Sequence, residues 1–406
     1  MKVGHVCTSA LMHKLLVDKL ALMQDKGYDI HLISSKEGYN EKLVAGYSME
    51  FRFIPMNRSI HPIQDVVSIF RLMRLIMKEK YDIIHTHNAK AGVIGRIAAW
   101  LCRTPLIIHT THGLPFYQGQ RGLTYHMYRW MEKVGSWFCH GIASQNREDM
   151  DKIKEYAPRK LVLYEGNGVD LERLDAHKAA ASVEAIQALK QQYHIPMNHK
   201  VILVGARFEP VKNHFFLLDA LKLLKEQSDI PFTCVLAGQG PLEQEVVQRI
   251  AELGLKEQVV LVGYQTNIYP YIEMADVVSL TSEKEGIPRI VMESMAFSKP
   301  VVASDVLGTR ELVQSEVSGV LVPYLDVHAL AAAYHRVLSD EGLRSSLGEQ
   351  GRSIIEEQFT EQIVSHRIHE YYRELRKKDM PKKKQIKLPM SKQRGVHKDE
   401  ASRLQQ

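Results

Sequence analysis

Three absences bound this sequence before any motif is read. Its four cysteines, Cys7, Cys102, Cys139 and Cys234, form no Cys-x-x-Cys and no zinc-type spacing, which argues against a disulfide framework and a structural zinc site. They are expected as reduced residues of the core. No stretch offers the ~20 uninterrupted apolar residues that span a bilayer; the helical run 66–78, for example, carries Arg71, Arg74 and Lys78. Met1-Lys2-Val3-Gly4-His5-Val6 reads directly as a strand, without the basic region, apolar stretch and cleavage site of an export leader. A cytoplasmic location is therefore expected.

The chain also lacks a basic body. Its net charge is +6, but Lys377 to Gln406 holds ten Lys/Arg against three Asp/Glu, which leaves 43 against 44 in the remainder. A nucleic-acid partner, which needs a basic face on the folded part, is not expected. The tail has few large apolar side chains to offset chain entropy and is expected to be disordered.

What is present is a globular composition, 45% hydrophobic and 25% charged, over 406 residues, a length that suits two domains of roughly 200. Short β-rich runs at Val3-Cys7, Asp29-Ile33, Phe51-Ile54, Ile83-Thr86, Leu106-Thr110, Gly141-Ser144 and Leu161-Tyr164 alternate with helical stretches at 13–26, 63–80 and 90–102. This is the rhythm of a doubly wound parallel sheet. It breaks at Asn167-Gly168-Val169-Asp170 and restarts with Val201-Val204, Phe232-Ala237, Val259-Val262, Val277-Leu280, Val301-Ser304 and Val320-Pro323. The expected organisation is a first Rossmann-like domain at 1–170, a connection at 171–197 and a second such domain at 198–359. A helix at 360–376 and the basic tail 377–406 follow.

Ligands collect beyond the carboxyl ends of parallel strands, so the segments after each strand carry the argument. After Leu280 comes Thr281-Ser282-Glu283-Lys284-Glu285-Gly286-Ile287-Pro288-Arg289-Ile290 and, one turn into the next helix, Glu293. The helix start suits a diphosphate, whereas Glu285 and Glu293 suit pairs of hydroxyls. Acids are also common at helix starts, and on spacing alone both readings stand. After Val204, Arg207 and Lys212 place a planar fork and a point charge where diphosphate recognition favours them, although a solvated basic loop has the same composition.

Gly238-Gln239-Gly240 begins like a dinucleotide fingerprint, but Glu243 replaces the third glycine, so it is not evidence for NAD. It reads as a tight turn with close backbone approach. In the first half, His85-Thr86-His87 and His109-Thr110-Thr111-His112-Gly113 put imidazoles at two strand ends, expected to face the cleft. His-x-His sets two rings on one strand face, yet no Asp or Glu ligand stands nearby, and hydrogen bonding to a polar ligand is the better reading than a metal. Asp149-Met150-Asp151 follows a strand end and reads as helix surface.

Taken together and in order over residues 1–376, these motifs resemble the family 4 retaining glycosyltransferases of the GT-B fold, in particular bacterial exopolysaccharide and capsule enzymes of the EpsD type. The carriers are His85-Thr86-His87 with Ala91-Gly92-Val93-Ile94-Gly95-Arg96, Thr111-His112-Gly113, Asn167-Gly168-Val169-Asp170, Arg207 with Lys212, Gly238-Gln239-Gly240-Pro241, and Glu285 with Glu293. The resemblance implies two Rossmann-like domains facing a central cleft, with the C-terminal helix crossing back to the first. It implies transfer of a sugar from a nucleotide donor, expected to be UDP-linked, to a polyprenyl-diphosphate-linked saccharide, with retained configuration and neither metal nor other cofactor. Arg207 and Lys212 are then expected to hold the donor diphosphate, Glu285 the sugar and Glu293 the ribose. The backbone of Gly286, Ile287, Pro288, Arg289 and Ile290, with Gly238 and Gly240, is expected to line the donor. His112 is expected to face the sugar, and Ser9, His87 and His109 the acceptor side.

One departure is visible, since many relatives carry Gly-Gly after the first strand and this chain has Thr8-Ser9-Ala10-Leu11. The basic tail and the cationic helix 66–80 are candidates for peripheral contact with anionic lipid on the inner face of the plasma membrane; a merely solvated tail is the other reading. The rival functions are a nucleotide-sugar hydrolase or epimerase of the same fold and a noncatalytic sugar-nucleotide sensor.

Overall fold

The computed structural model describes residues 1–379 apart from 42, 43, 58, 60, 115 and 117–121. The expected disordered tail lies outside the described residues from position 380 onward. Seven strands build the first sheet: β1 (Lys2–Ser9), β2 (Asp29–Ser35), β3 (Glu50–Phe53), β4 (Ile83–His87), β5 (Leu106–Thr111), β6 (Gly141–Ser144) and β7 (Leu161–Tyr164), in the order β3-β2-β1-β4-β5-β6-β7. Six build the second: β8 (Lys200–Gly205), β9 (Phe232–Ala237), β10 (Val259–Gly263), β11 (Val277–Leu280), β12 (Val301–Ser304) and β13 (Val320–Val322), in the order β10-β9-β8-β11-β12-β13. Every pairing between these strands is parallel. Both orders reverse beside their first strand, which opens a crevice between β1 and β4 in one lobe and between β8 and β11 in the other.

The parallel sheets are covered on both faces, which is why their central strands are buried along almost their whole length rather than at alternate residues. In the first lobe α1 (Ala10–His13) and α2 (Val17–Asp25) pack on one face, and α3 (Pro62–Glu79), α4 (Ala89–Leu101), α5 (Leu123–Ser136) and α6 (Arg147–Tyr156) on the other. The single helix expected over 13–26 is thus two, separated by a turn at Lys14–Leu16. In the second lobe come α7 (Leu171–Ala180), α8 (Val183–Gln192), α9 (His214–Gln227), α10 (Glu243–Glu252), α11 (Tyr269–Met274), α12 (Arg289–Ala296), α13 (Leu307–Leu312), α14 (Val327–Ser339) and α15 (Glu341–Gln358). The stretch 171–197, read from sequence as a connection, is no linker here. Helices α7 and α8 pack against α11, and Leu174 and Ile195 are buried in the second lobe's core.

The final helix, α16 (Glu361–Asp379), returns to the first lobe. Val364, Ile368, Tyr371, Tyr372 and Leu375 are buried with β1, β5 and α2, and the Tyr371 hydroxyl donates to the carbonyls of Ile142 and Leu161 at 3.0 and 2.6 Å. The two places where the chain crosses between lobes lie side by side. The Val169 N–H donates to the Phe359 carbonyl at 2.9 Å and the Glu361 N–H to the Val169 carbonyl at 3.1 Å. Gly168 is glycine because a Cβ there would sit 2.7 Å from the backbone of Thr360 and Glu361.

Glu361, the first residue of α16, is buried at this crossing, and neither carboxylate oxygen meets a donor among the described residues. Burial raises its pKa to about 7, opposed by the charges of Lys19, Arg289 and Arg173 and reinforced by Asp18. Because the folded-state value lies above the unfolded one, the native protein binds the extra proton between about 4.5 and 7. Stability contributed by this group is therefore present at low pH and lost as pH rises through 7. Glu361→Gln should remove this dependence, so that the variant gains on the wild type by about 3 kcal/mol between pH 4.5 and 8 in urea unfolding. Parallel pH profiles for the two proteins would overturn this assignment.

Candidate active site

The second-lobe half of the site forms at its switch-point crevice. Beyond β8, residues 206–208 lie against 238–240: Ala206 N–H donates to the Ala237 carbonyl and Phe208 N–H to that of Gln239, both at 3.1 Å. A Cβ on Gly238 or Gly240 would strike the backbone of Ala206 or Phe208. This packing accounts for the two glycines independently of any ligand. A 3-10 turn, Pro210–Lys212, then leads into α9, whose N-cap Asn213 takes φ 45° and accepts from Phe216 N–H.

The loop beyond β11 is strapped onto that turn. Thr281 Oγ1 donates to the carbonyls of Lys212 and Asn213 (3.1 and 3.3 Å), and Glu283 N–H to Val211 (2.9 Å). The strap brings Lys212 Nζ to 2.5 Å from Glu285 Oε1, which also accepts from Ser282 Oγ at 2.5 Å. Glu293, buried on α12, is held in the same manner. Its Oε1 accepts from Arg289 Nε at 2.9 Å and from the Tyr269 hydroxyl at 3.5 Å. Each glutamate is anchored through Oε1 by one cation and one hydroxyl, and Oε2 of each has no hydrogen-bond partner among the described residues. Arg207 stands apart, its side chain two-thirds exposed and paired with Glu209 at 2.7 Å.

The first-lobe half is a buried polar layer on the face of the sheet that α2 and α16 cover. Parallel register sets His5 beside His85 and His87 beside Thr110, so these four side chains share one face. His5 Nδ1 lies 3.0 Å from His87 Nε2, and His87 Nδ1 lies 3.0 Å from Nε2 of the half-buried His112. His85 Nε2 reaches Thr110 Oγ1 (2.6 Å), which donates to Glu165 Oε2 (2.6 Å), and Glu165 Oε1 accepts from Lys19 Nζ (2.6 Å). A carboxylate only accepts, so the order of donation runs from the Tyr372 hydroxyl to His85 Nδ1 (2.7 Å), from His85 to Thr110, and from Thr110 to Glu165.

Burial drives the pKa of His5, His85 and His87 well below the usual imidazole value and that of His112 to about 4, with the Lys19 charge adding to each. The imidazoles are neutral at neutral pH, each with one N–H to donate and one nitrogen to accept. Ligand atoms of His5, His85 and His87 lie within 4.8 Å of one another. A tetrahedral metal ion needs lone pairs converging at about 2.0–2.1 Å, whereas here the rings stack, His85 on His87 with centroids 4.5 Å apart and His5 on His87 at 18°. Five of their six ring nitrogens, all but His5 Nε2, are engaged in the hydrogen bonds just described, so the arrangement fits a relay better than a metal cage.

His109 does not join this layer, contrary to its expected place on the acceptor side. It pairs in register with Thr86 on the opposite face, hydrogen bonded to the Thr86 hydroxyl at 3.0 Å, and a Cβ on Gly92 of α4 would come within 2.5 Å of its ring. Ser9 ends β1 and directly precedes α1 with no intervening loop, its hydroxyl buried and without a hydrogen-bond partner among the described residues. The reading of Asp149 as helix surface also fails. Asp149 is buried, and its Oδ2 accepts from Leu114 N–H (2.9 Å) and Asn146 Nδ2 (3.0 Å), which ties down the segment that follows His112; Asp151 is exposed and pairs with Lys154.

The two halves touch. Gly113, at φ 114°, faces Gly286, and a Cβ on Gly286 would lie 2.8 Å from the His112 carbonyl. Lys284 Nζ donates to the Leu114 carbonyl (2.7 Å), Arg147 pairs with Glu311 (2.7 Å), and Asp18 meets Arg173 (3.0 Å) and Arg289 (3.8 Å). Sequence reasoning missed Asp18, Lys19, His5 and Glu165, which lie in no motif.

Two facing, doubly wound lobes with a last helix returning to the first are the GT-B architecture, and a cation–carboxylate crevice set against an imidazole layer suits a sugar nucleotide. The comparisons agree with the fold. The family described as Glycosyl transferases group 1 matches residues 185–354, and Glycosyl transferase 4-like matches residues 5–146. The chain is 30% identical over 355 residues, 84% of it and 89% of the relative, to the UDP-Gal:alpha-D-GlcNAc-diphosphoundecaprenol alpha-1,3-galactosyltransferase of Escherichia coli. It is 26% identical to the capsular polysaccharide biosynthesis glycosyltransferase CapM of Staphylococcus aureus, covering 91% of this chain and 96% of that one. HepE of Anabaena, solved with UDP and glucose, superimposes with a TM-score of 0.77 at 20% identity over 92% of this chain and 100% of its own. The chain belongs to the family 4, group 1 glycosyltransferases and is a sugar-transferring enzyme.

The buried Lys19–Glu165 pair generates a stability prediction. Lys19→Met leaves Glu165 uncompensated and should cost about 3–5 kcal/mol in urea unfolding, with Lys19→Met/Glu165→Gln recovering part of the loss. Additive losses in the double variant would show that the two side chains act separately.

Proposed function

We propose that the chain transfers a sugar from a UDP-linked donor to a polyprenyl-diphosphate-linked saccharide during exopolysaccharide or capsule assembly, with retained configuration and no metal, at the inner face of the plasma membrane. The observation that carries this reading is the Lys212–Glu285 pair at the second-lobe crevice, across from His112 at the Gly113–Gly286 contact. An ammonium that gives one N–H to Glu285 retains two for a diphosphate, and Glu285 Oε2 is left to accept from sugar hydroxyls. Phosphate and sugar are then gripped at adjacent points, as a bond that breaks between them requires.

In this reading Arg207 swings from Glu209 to the diphosphate, and Lys212 with Arg207 offsets charge on the leaving group. That offset is the main catalytic device. Glu293 Oε2 takes the ribose hydroxyls, and the backbone of Gly286–Ile290 and the turn at Gly238 and Gly240 line the donor. His112 meets the sugar from the first lobe, and Ser9 and His87 lie on the acceptor side. The E. coli relative is named for a UDP-sugar donor and a diphosphoundecaprenol-linked acceptor, and CapM for capsule synthesis; both support the substrate classes proposed. Glu165 and Asp18, the first-lobe carboxylates of this network, are tied to cations, which supports a mechanism in which the departing phosphate oxygen takes the acceptor proton.

The test offers a panel of UDP-sugars with a diphosphoprenyl-linked monosaccharide in the presence of EDTA, scored by product mass. The expected result is one added sugar, slowed about 10²–10³-fold by Lys212→Ala. Donor consumed as fast without acceptor would indicate a hydrolase or epimerase, and donor binding without turnover a sensor; either would overturn the proposal.

A further inference from the structure

The helical layer α3–α4–α5 carries an apolar and cationic outer face that is uncovered among the described residues. The chain has three tryptophans, and all three are exposed on this layer: Trp100 at 53%, Trp130 at 64% and Trp137 at 64%. On α5 the residues Leu123, Met127, Trp130 and Trp137 recur at spacings of four, three and seven, so a helical apolar stripe points away from the core. Helix α3 repeats the pattern with Ile63, Val67, Phe70 and Met77 exposed, while Leu72 and Ile76 face inward. Helix α4 packs between the two. The edge-to-face contact of Trp100 with Phe138, at 5.3 Å, joins the layer to the end of α5, and the Cys102 thiol on the Met73 carbonyl joins it to α3.

Charge on this layer is one-sided. Its three acids are all neutralised within the protein: Asp65 pairs with Lys90, Glu79 with Lys2 and Arg52, and Glu132 with Arg96. No ion pair reaches Arg71, Arg74, Lys78, Arg103, Arg129 or Lys133 among the described residues. The body as a whole has no cationic surplus, so these charges are a local segregation. Aromatic and aliphatic side chains interleaved with unpaired Arg and Lys match the headgroup zone of an anionic bilayer, where indole rings and basic side chains both gain.

We infer that the α3–α4–α5 face is the surface by which the enzyme docks on anionic lipid. The inference rests on the proposed lipid-linked acceptor and identifies the side of the molecule that meets the bilayer. Placement supports it: α4 begins two residues beyond His87, the acceptor-side candidate, and its thirteen residues, about 20 Å, end at Trp100 and Leu101. Helix α4 thus links the strand end that carries His87 to the exposed apolar side chains of Trp100 and Leu101. The basic tail is not needed for this attachment.

The test uses the full chain and vesicles without acceptor, so that its outcome is independent of the proposed reaction. Co-sedimentation is measured with phosphatidylcholine vesicles and with an equimolar phosphatidylcholine–phosphatidylglycerol mixture. Binding is expected to the anionic vesicles and to fall at least about tenfold in Trp130→Ser/Trp137→Ser. It should fall about fivefold for each charge removed in Arg71→Gln/Arg74→Gln/Lys78→Gln, and should persist in Lys382→Gln/Lys383→Gln/Lys384→Gln. Circular dichroism and urea unfolding confirm that the variants are folded. Vesicle binding unchanged by the face variants, or lost only with the tail lysines, would overturn the inference. So would a self-association in sedimentation velocity that Trp130→Ser/Trp137→Ser abolishes, which would make the face an interface between copies of the chain.

Discussion

The wholly buried ion pair between Lys19 and Glu165 is the interaction on which the rest of the site depends. Lys19 belongs to α2, and Glu165 is the first residue beyond β7, where the chain starts its crossing to the second lobe. A buried carboxylate stays charged only at a high cost unless it is partnered, and Thr110 completes this one. That requirement orients Thr110, which orients His85, which takes its remaining hydrogen bond from Tyr372 on the returning helix. One electrostatic constraint thus connects the outgoing crossing, the histidine layer and the crossover helix. Burial keeps the neighbouring imidazoles neutral, with the same cation adding to it, and so able to donate and accept at once.

Much of the fold was legible because parallel strands covered on both faces are short runs of Val, Ile and Leu between helical stretches. All thirteen strands appear where those runs fall, with ends shifted by at most two residues. Helix breaks and helix partners were less visible. The run 13–26 keeps a helical period through a turn that no Pro or Gly marks. The polar helices α7 and α8 resemble a linker in composition, yet each contributes a narrow apolar edge to the second lobe, a tertiary choice that periodicity does not encode.

The site was legible by residue type more than by contact. Glu285 and Glu293 were identified as hydroxyl-binding candidates, but their cationic partners, Lys212 and Arg289, depend on how two loops fold over adjacent strands. His109 illustrates a signal that was present and misapplied: side chains alternate along a strand, so His109 and Thr110 cannot share a face, and the β4–β5 register decides which one meets His85 and His87. Asp149 was hidden by its ordinary position at a helix start, where an acid can cap or simply be solvated. Lys19, His5 and Glu165 carry no motif, and only burial distinguishes them from surface charges and core histidines.

In the proposed mechanism the chemistry lies at the leaving diphosphate, held by the second lobe, with the sugar gripped from the same side and the acceptor approaching past neutral imidazoles. The most direct measurement is the configuration of the new linkage, read from the anomeric proton coupling of the product formed from an α-linked UDP-sugar and a diphosphoprenyl-linked acceptor. An α-linkage is predicted. A β-linkage would contradict the account, because inversion requires a base on the acceptor side in place of the departing phosphate.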